Sequence, residues 1–200
     1  MGKIGIMGGT FDPVHNAHLM IGELAMEEFG LDKILFLTGG NPPHKTERRI
    51  LDARQRHRMV QAAIAGNGHF IPCDYEVKKE SYCYTAETLA HFHRIYPKEQ
   101  LYFIIGDDSL KNLMSWHEPE TIMDLCTLLV YPRGPQNTDS LIDALKERYR
   151  CDIRRIHAPR FDISSSMLRE RIRQGHTVQY MIPDSVIEII EENHFYKESL

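Results

Sequence analysis

Two histidines three positions apart, His15 and His18, follow a glycine pair and a threonine in the run Gly8-Gly9-Thr10-Phe11-Asp12-Pro13-Val14-His15-Asn16-Ala17-His18. Glycines lack a Cβ and let a backbone come close to a ligand, while Thr10, Asn16 and a helix start offer donors. If the helix has begun by Asn16, the two imidazoles lie one above the other on a single face. Donors converging on such a turn suit an anion, and the stretch reads as a phosphate clamp. A tight strand-to-helix turn would also use the glycine pair. Paired histidines could instead hold a transition metal, but no third ligand falls in spacing, and Zn2+ takes at least three protein ligands. No metal site is therefore assigned. Gly5-Ile6-Met7-Gly8-Gly9 matches neither the dinucleotide fingerprint nor the Walker loop, which disfavours dehydrogenases and P-loop enzymes.

Other residues carry chemistry only in company. Ser164-Ser165-Ser166 ahead of Arg169, Arg171 and Arg173 is, read alone, a helix cap followed by a solvated basic face. Lys45, after the rigid Pro42-Pro43 pair, is either a mobile charge for phosphate or an exposed loop lysine. Trp116, the only tryptophan, is a stacking surface or a core residue. Gly106-Asp107-Asp108-Ser109 alone reads as a turn. His57, His69, His91, His93, His157, His176 and His194 read as surface or structural, and the four cysteines as small core residues.

The elements that must position these groups alternate strand and helix. Strands are expected at 3–7, 33–38, 70–73, 101–105, 127–131 and about 152–156. Helices are expected from Asn16 to Phe29 with Gly30 as stop, and from an Asp52 cap to about Ala65. Further helices run from Thr85 to about Tyr96, from Ser140 to Tyr149, from the 164–166 serines to about Arg173, and from Pro183-Asp184 to about Glu192. Two shorter helical pieces follow the 106–109 turn. This rhythm predicts an α/β fold, a Rossmann-like doubly wound parallel sheet in one three-layer domain over residues 1–200. Ligands of such sheets bind beyond the carboxyl ends of the strands, which singles out the loops after Met7, Thr38, Ile105 and Tyr131.

Composition excludes several classes. Among 200 residues, 42% are hydrophobic and 26% charged, ordinary for a globular chain, and the formal net charge of -4 argues against a bulk nucleic-acid or anionic-membrane surface. Any anion site must be local. The cysteines show no C-x-x-C spacing, and a core of this size needs no disulfide scaffold, so a reduced cytoplasm is expected. Neither a targeting segment nor a membrane span is expected, since Lys3 leads straight into a short strand-like run and later apolar runs are short and β-branched.

The run Gly8 to His18 resembles the G-G-T-F-D-P-x-H-x-G-H signature of the nucleotidyltransferase superfamily, and Ile163-Ser164-Ser165-Ser166-Met167-Leu168-Arg169 resembles its second motif, I-S-S-T-x-x-R. Asn41-Pro42-Pro43-His44-Lys45, Thr85, Gly106-x-Asp108, Trp116 and Arg133 further resemble the bacterial nicotinate-nucleotide adenylyltransferases. The chain departs from that pattern at Ala17, where glycine is usual, at Ser166 for threonine, at His117 for tyrosine, and in the order Pro132-Arg133-Gly134. The resemblance implies transfer of AMP from ATP to nicotinate mononucleotide, giving deamido-NAD and pyrophosphate, with Mg2+ carried by the ATP.

On that reading His15, His18 and Arg169 are catalytic. Gly8, Gly9, Thr10, Gly106, Asp108, Arg133, Ser164, Ser165 and Ser166 would take ATP. Lys45, Thr85, Trp116 and His117 would take nicotinate mononucleotide. In-line attack by a 5′-phosphate oxygen on the α-phosphorus asks little covalent work of a protein, so rate comes from alignment and charge neutralisation, and no nucleophilic side chain is needed. Alternatives are a related acceptor such as nicotinamide mononucleotide or phosphopantetheine, a cytidylyl donor, or a non-catalytic nucleotide sensor. A homo-oligomer is among the assemblies this reading allows.

Overall fold

The computed structural model describes residues 1–40, 50–133 and 137–197. Among the described residues six strands form one parallel sheet: β1 (Lys3–Gly9), β2 (Lys33–Thr38), β3 (Phe70–Cys73), β4 (Gln100–Gly106), β5 (Thr127–Tyr131) and β6 (Ile153–Arg155), in the order β3-β2-β1-β4-β5-β6. This is the expected Rossmann-like α/β fold, with its order reversing between β1 and β4. Ile34 to Leu37, Leu101 to Ile105 and Leu128 to Tyr131 are each buried without interruption. Such continuous runs, in place of alternation, are what a sheet covered on both faces requires.

Local signals set most helix ends. α1 (Asn16–Phe29) stops at Gly30, whose φ of +62° is the left-handed cap glycine tolerates best. α2 (Ala53–Ile64) is capped by the Asp52 carboxylate, which accepts from Arg54 N at 2.9 Å. α3 (Thr85–Ile95) begins after Tyr84, so Thr85 is the first helical residue rather than its cap. α6 (Thr138–Arg148) starts two residues ahead of Ser140, because the Asn137 side chain accepts from Ser140 N. α7 (Ser165–Arg173) is capped by Ser164, and α8 (Asp184–Glu192) follows Pro183.

Two segments differ from the sequence expectation. β1 runs past Met7 to include both glycines. The 106–109 segment is no free turn, since Gly106 is the cap of α4 (Asp107–Asn112). Asp107 and Asp108 lie in its first turn, where negative charge favours a helix start. A 3-10 turn (Leu113–Ser115) and α5 (Pro119–Leu125) follow.

The chain divides into two compact units. The first holds residues 1–8, 21–35 and 83–160, with β1 in register against β4 from Lys3↔Gln100 to Met7↔Ile104. Its core includes Ile104, Leu113, Ile122, Leu128 and Leu129. The second holds residues 9–20, 36–82 and 161–200. There the Phe36 ring lies 4.8 Å from Phe70 and 6.1 Å from Phe11, and Ser185 Oγ donates to Ala62 O, tying α8 to α2. Among the described residues no helix is long and apolar enough to cross a membrane. All four cysteines are thiols outside any disulfide, and Cys126 alone of them is buried, so the core role expected of all four holds for that one. Burial pushes its thiol up to about 12.

Candidate active site

The chain leaves β1 with Gly8 and Thr10 exposed, then turns within the second unit at Phe11, whose φ is +49° and whose ring is buried. The Asp12-Pro13 peptide bond is cis. His15 and His18 flank the start of α1, and their rings stack with centroids 3.7 Å apart and planes 25° apart, as the three-residue spacing predicts. His15 N donates to His18 Nδ1 at 3.2 Å. An imidazole nitrogen that accepts carries no hydrogen, so His18 holds its proton on Nε2, the tautomer that presents a donor away from the backbone. The Phe11 ring makes a T-shaped contact with His18, with centroids 5.0 Å apart and planes at 82°. His15 is buried and His18 half-buried. Asn16, read as a further anion donor, instead gives its side-chain amide to Tyr180 O at 2.7 Å.

The second motif meets the same turn. Arg169 Nη1 donates to Asp12 O at 2.6 Å and lies 3.6 Å from Asp12 Oδ2, while Nη2 donates to Ser166 Oγ at 3.3 Å. Ser165 Oγ donates to Pro13 O at 2.9 Å. Ser164 Oγ accepts from Met167 N, the capping role open to it from sequence. The three hydroxyls thus have separate tasks: one starts α7, one ties it to the turn, and one sits against the guanidinium. The neighbouring arginines point elsewhere. Arg171 Nε donates to Thr177 O, and Arg173 pairs with Glu170. Of the three, Arg169 is the one set against the histidine-bearing turn.

Sequence reasoning missed three residues here. Arg56 is fully buried. Its guanidinium donates to Leu51 O at 2.9 Å, to Gly39 O at 2.9 Å, to Gly40 O at 3.0 Å and to Thr10 O, so one side chain holds the backbone after β1 and after β2. Its period was the available signal, since Arg56 shares a helix face with Met59 and Val60 at positions that should be apolar. Burial lowers its pKa, against the opposing pull of Asp12. Asp12, quoted in the motif but given no task, is buried and accepts from Tyr196 Oη at 2.8 Å. Tyr196 carried no sequence signal. Burial pushes its phenol up, and the adjacent Asp12 carboxylate pushes the same way.

His57 proves structural. Its Nδ1 lies 2.9 Å from Thr38 Oγ1 at the end of β2, and burial lowers its pKa below the ordinary 6.5, with Asp74 opposing and Lys78 reinforcing the shift. The folded chain therefore binds this proton less readily than the unfolded one, and stability must rise with pH. The loss begins as pH falls through about 6.5 and levels off below the folded value. Urea midpoints are expected to drop between pH 7 and pH 5, and to drop less in His57→Gln. Equal drops in both proteins would remove His57 from the effect.

The first unit gathers the remaining candidates. Arg133 lies over Gly106, where an added Cβ would come within 3.1 Å of its Nε, so glycine is what admits that guanidinium so close to the strand end. Asp108 is exposed in the first turn of α4. Trp116 is half-buried just after the 3-10 turn and is not a core residue. The His117 ring lies 4.2 Å from Tyr84, the residue before Thr85, and its Nε2 lies 3.6 Å from Glu118 Oε1. Thr85 and His117 are thus brought near one another through Tyr84, an aromatic that the sequence reading passed over. Lys45 lies outside the described residues. Among the described residues no three His, Cys, Asp or Glu side chains are grouped to hold a metal ion.

A family model described as cytidylyltransferase-like matches residues 6–171. A protein of Desulfitobacterium hafniense (strain DSM 10664 / DCB-2) named "Probable nicotinate-nucleotide adenylyltransferase" is 37% identical over 198 residues, 98% of this chain and 96% of the relative. A protein of the same name from Clostridium botulinum (strain Eklund 17B / Type B) is 39% identical over 201 residues, 99% of this chain and all of the relative. The chain belongs to the nicotinate-nucleotide adenylyltransferase family. Solved structures of Plasmodium falciparum nicotinic acid mononucleotide adenylyltransferase, complexed with APC and with NaAD, share the fold at TM-scores of 0.79 and 0.80, with 19% and 20% identity and 98% of both chains covered. Within this adenylyltransferase chain, both histidines and Arg169 fall inside the matched 6–171 span, whereas Tyr196 lies beyond it.

Proposed function

We propose that this chain is a nicotinate mononucleotide adenylyltransferase. The observation that carries the reading is the set formed by stacked His15 and His18 with Arg169 on one turn, in a chain whose whole length matches relatives of that name. A 5′-phosphate oxygen of nicotinate mononucleotide attacks the α-phosphorus of ATP. The new O–Pα bond forms as the bond from Pα to the bridging oxygen of the β-phosphate breaks, and pyrophosphate leaves with the electron pair.

His18 donates from Nε2 to an α-phosphate oxygen as negative charge shifts, and His15 supports the phosphate chain. Thr10 and the backbone N–H groups of Gly8 and Gly9 take the same anion. Arg169 neutralises the departing β and γ phosphates, with Ser164, Ser165 and Ser166 and the start of α7 assisting. Gly106, Asp108 and Arg133 receive the adenosine. Thr85, Trp116, His117 and Lys45 receive the nicotinate mononucleotide. Mg2+ would enter with the substrate as MgATP and would supply neutralisation of phosphate charge, beside the charge that Arg169 offers. A cytoplasmic enzyme of pyridine-nucleotide synthesis is the setting this chemistry fits.

Incubation with MgATP and a panel of nicotinate mononucleotide, nicotinamide mononucleotide, phosphopantetheine and phosphate-free controls tests the reading. Pyrophosphate and deamido-NAD are expected with the first, at a higher kcat/KM than any competitor. Nucleotide binding without pyrophosphate from any acceptor would favour a sensor and overturn the assignment.

A further inference from the structure

We propose that Tyr196 is a positioning residue for Arg169 and acts through the Asp12 carboxylate. Asp12 is 2% exposed, and a carboxylate so far from water must be compensated by the groups around it. Tyr196 Oη donates to Oδ1 at 2.8 Å, and Leu51 N approaches the same oxygen at 3.4 Å. Oδ2 faces Arg169 Nη1 at 3.6 Å, and that same nitrogen donates to the Asp12 backbone oxygen at 2.6 Å. Arg169 is thus held by its backbone bond and stands just off full contact with the carboxylate. Its other terminal nitrogen turns to the Ser166 hydroxyl.

The consequence is electrostatic. Charge on Asp12 is shared among the phenol hydrogen bond, Arg169 and buried Arg56, and the part drawn by Tyr196 is attraction that no longer pulls Arg169 inward. Without the phenol, compensation of the buried carboxylate falls to the two guanidiniums near it; Arg56 is committed to four backbone carbonyls, so Arg169 is the one that moves onto Oδ2 and away from phosphate. Tyr196 suits the task because burial beside Asp12 keeps its phenol protonated, a donor throughout the working pH range. It is delivered from the end of α8, where Phe195 N donates to Ile190 O and Tyr196 takes a left-handed φ of +63°. The segment after α8 therefore sets the charge that Arg169 offers to the leaving group.

This inference rests on the adenylyltransferase reading above. Tyr196→Phe keeps the ring and removes only the hydroxyl. We expect kcat to fall about tenfold while KM for nicotinate mononucleotide stays within about twofold, a split that loss of packing would not give. In the reverse reaction, KM for pyrophosphate should rise about tenfold with KM for deamido-NAD unchanged. Asp12→Asn combined with Tyr196→Phe should be no slower than Asp12→Asn alone, because the phenol would have no charge left to modulate. The reverse-reaction constants decide the matter without the Asp12 variants, should those fold poorly. Wild-type turnover with unchanged constants in Tyr196→Phe would overturn this inference alone. A wild type that makes no pyrophosphate would overturn the adenylyltransferase reading and the inference together.

Discussion

Replacing His18 with alanine is expected to lower kcat by about two to four orders of magnitude, with a smaller change in KM for ATP. The size follows from what the ring does. Its Nδ1 accepts from His15 N, so its hydrogen is on Nε2, and its ring is in contact with both Phe11 and His15. A donor fixed in this way needs no reorganisation when charge moves onto the α-phosphate oxygens, which is why such donors act more on the transition state than on bound substrate. The half-buried position of His18 keeps the experiment clean, since truncation there removes less packing than at buried His15. Steady-state kinetics with saturating nicotinate mononucleotide measure the effect. A variant of near-normal kcat would remove His18 from the chemistry.

Arg56→Ala is expected to cost about 3 to 5 kcal/mol of stability, because it strands backbone carbonyls that have been taken out of water around a fully buried cation. The carbonyls of Leu51, Gly39, Gly40 and Thr10 all lose a charged donor at once. For a chain of this length the thermal midpoint should fall by about 6 to 20 °C. Arg56→Lys should recover little of it, since one ammonium cannot reproduce the planar fork that serves carbonyls in different directions. Calorimetry on the three proteins provides the comparison. A midpoint for Arg56→Ala within about 2 °C of wild type would mean that water or a neighbouring donor replaces the guanidinium.

What could be read from the sequence follows the range of the forces involved. β2, β5 and α1 were legible to the residue because an uninterrupted apolar run, a glycine stop and a helical period are all local signals. The stacking of His15 on His18 follows from their spacing together with a helix that begins at Asn16. The polar 106–109 segment was misread because its glycine and two aspartates serve a turn and a helix start equally well, and only the continuation into Leu110 at a buried position decides between them. α6 begins two residues ahead of the Ser140 start that the apolar spacing suggests, because the Asn137 side chain caps it.

The supports of the turn were the least legible. Arg56 sits 46 residues from the Thr10 carbonyl it holds, and Tyr196 lies 184 residues from Asp12. No period or motif couples such distances; only the folded chain does. The same holds for the three serines of the second motif. The sequence offered them as one group, and the fold divides them among a cap, a tie to Pro13 and a neighbour for Arg169.

In the proposed mechanism AMP passes directly and in line to the acceptor phosphate, with His15 and His18 as donors and neither as a nucleophile. The stereochemical course at the α-phosphorus tests it most directly, using ATP made chiral there by a sulfur substitution and nicotinate mononucleotide as acceptor. A single displacement inverts the configuration, and inversion in the deamido-NAD analogue is the expected result. Retention would require two displacements and an adenylylated side chain between them, and would contradict the mechanism.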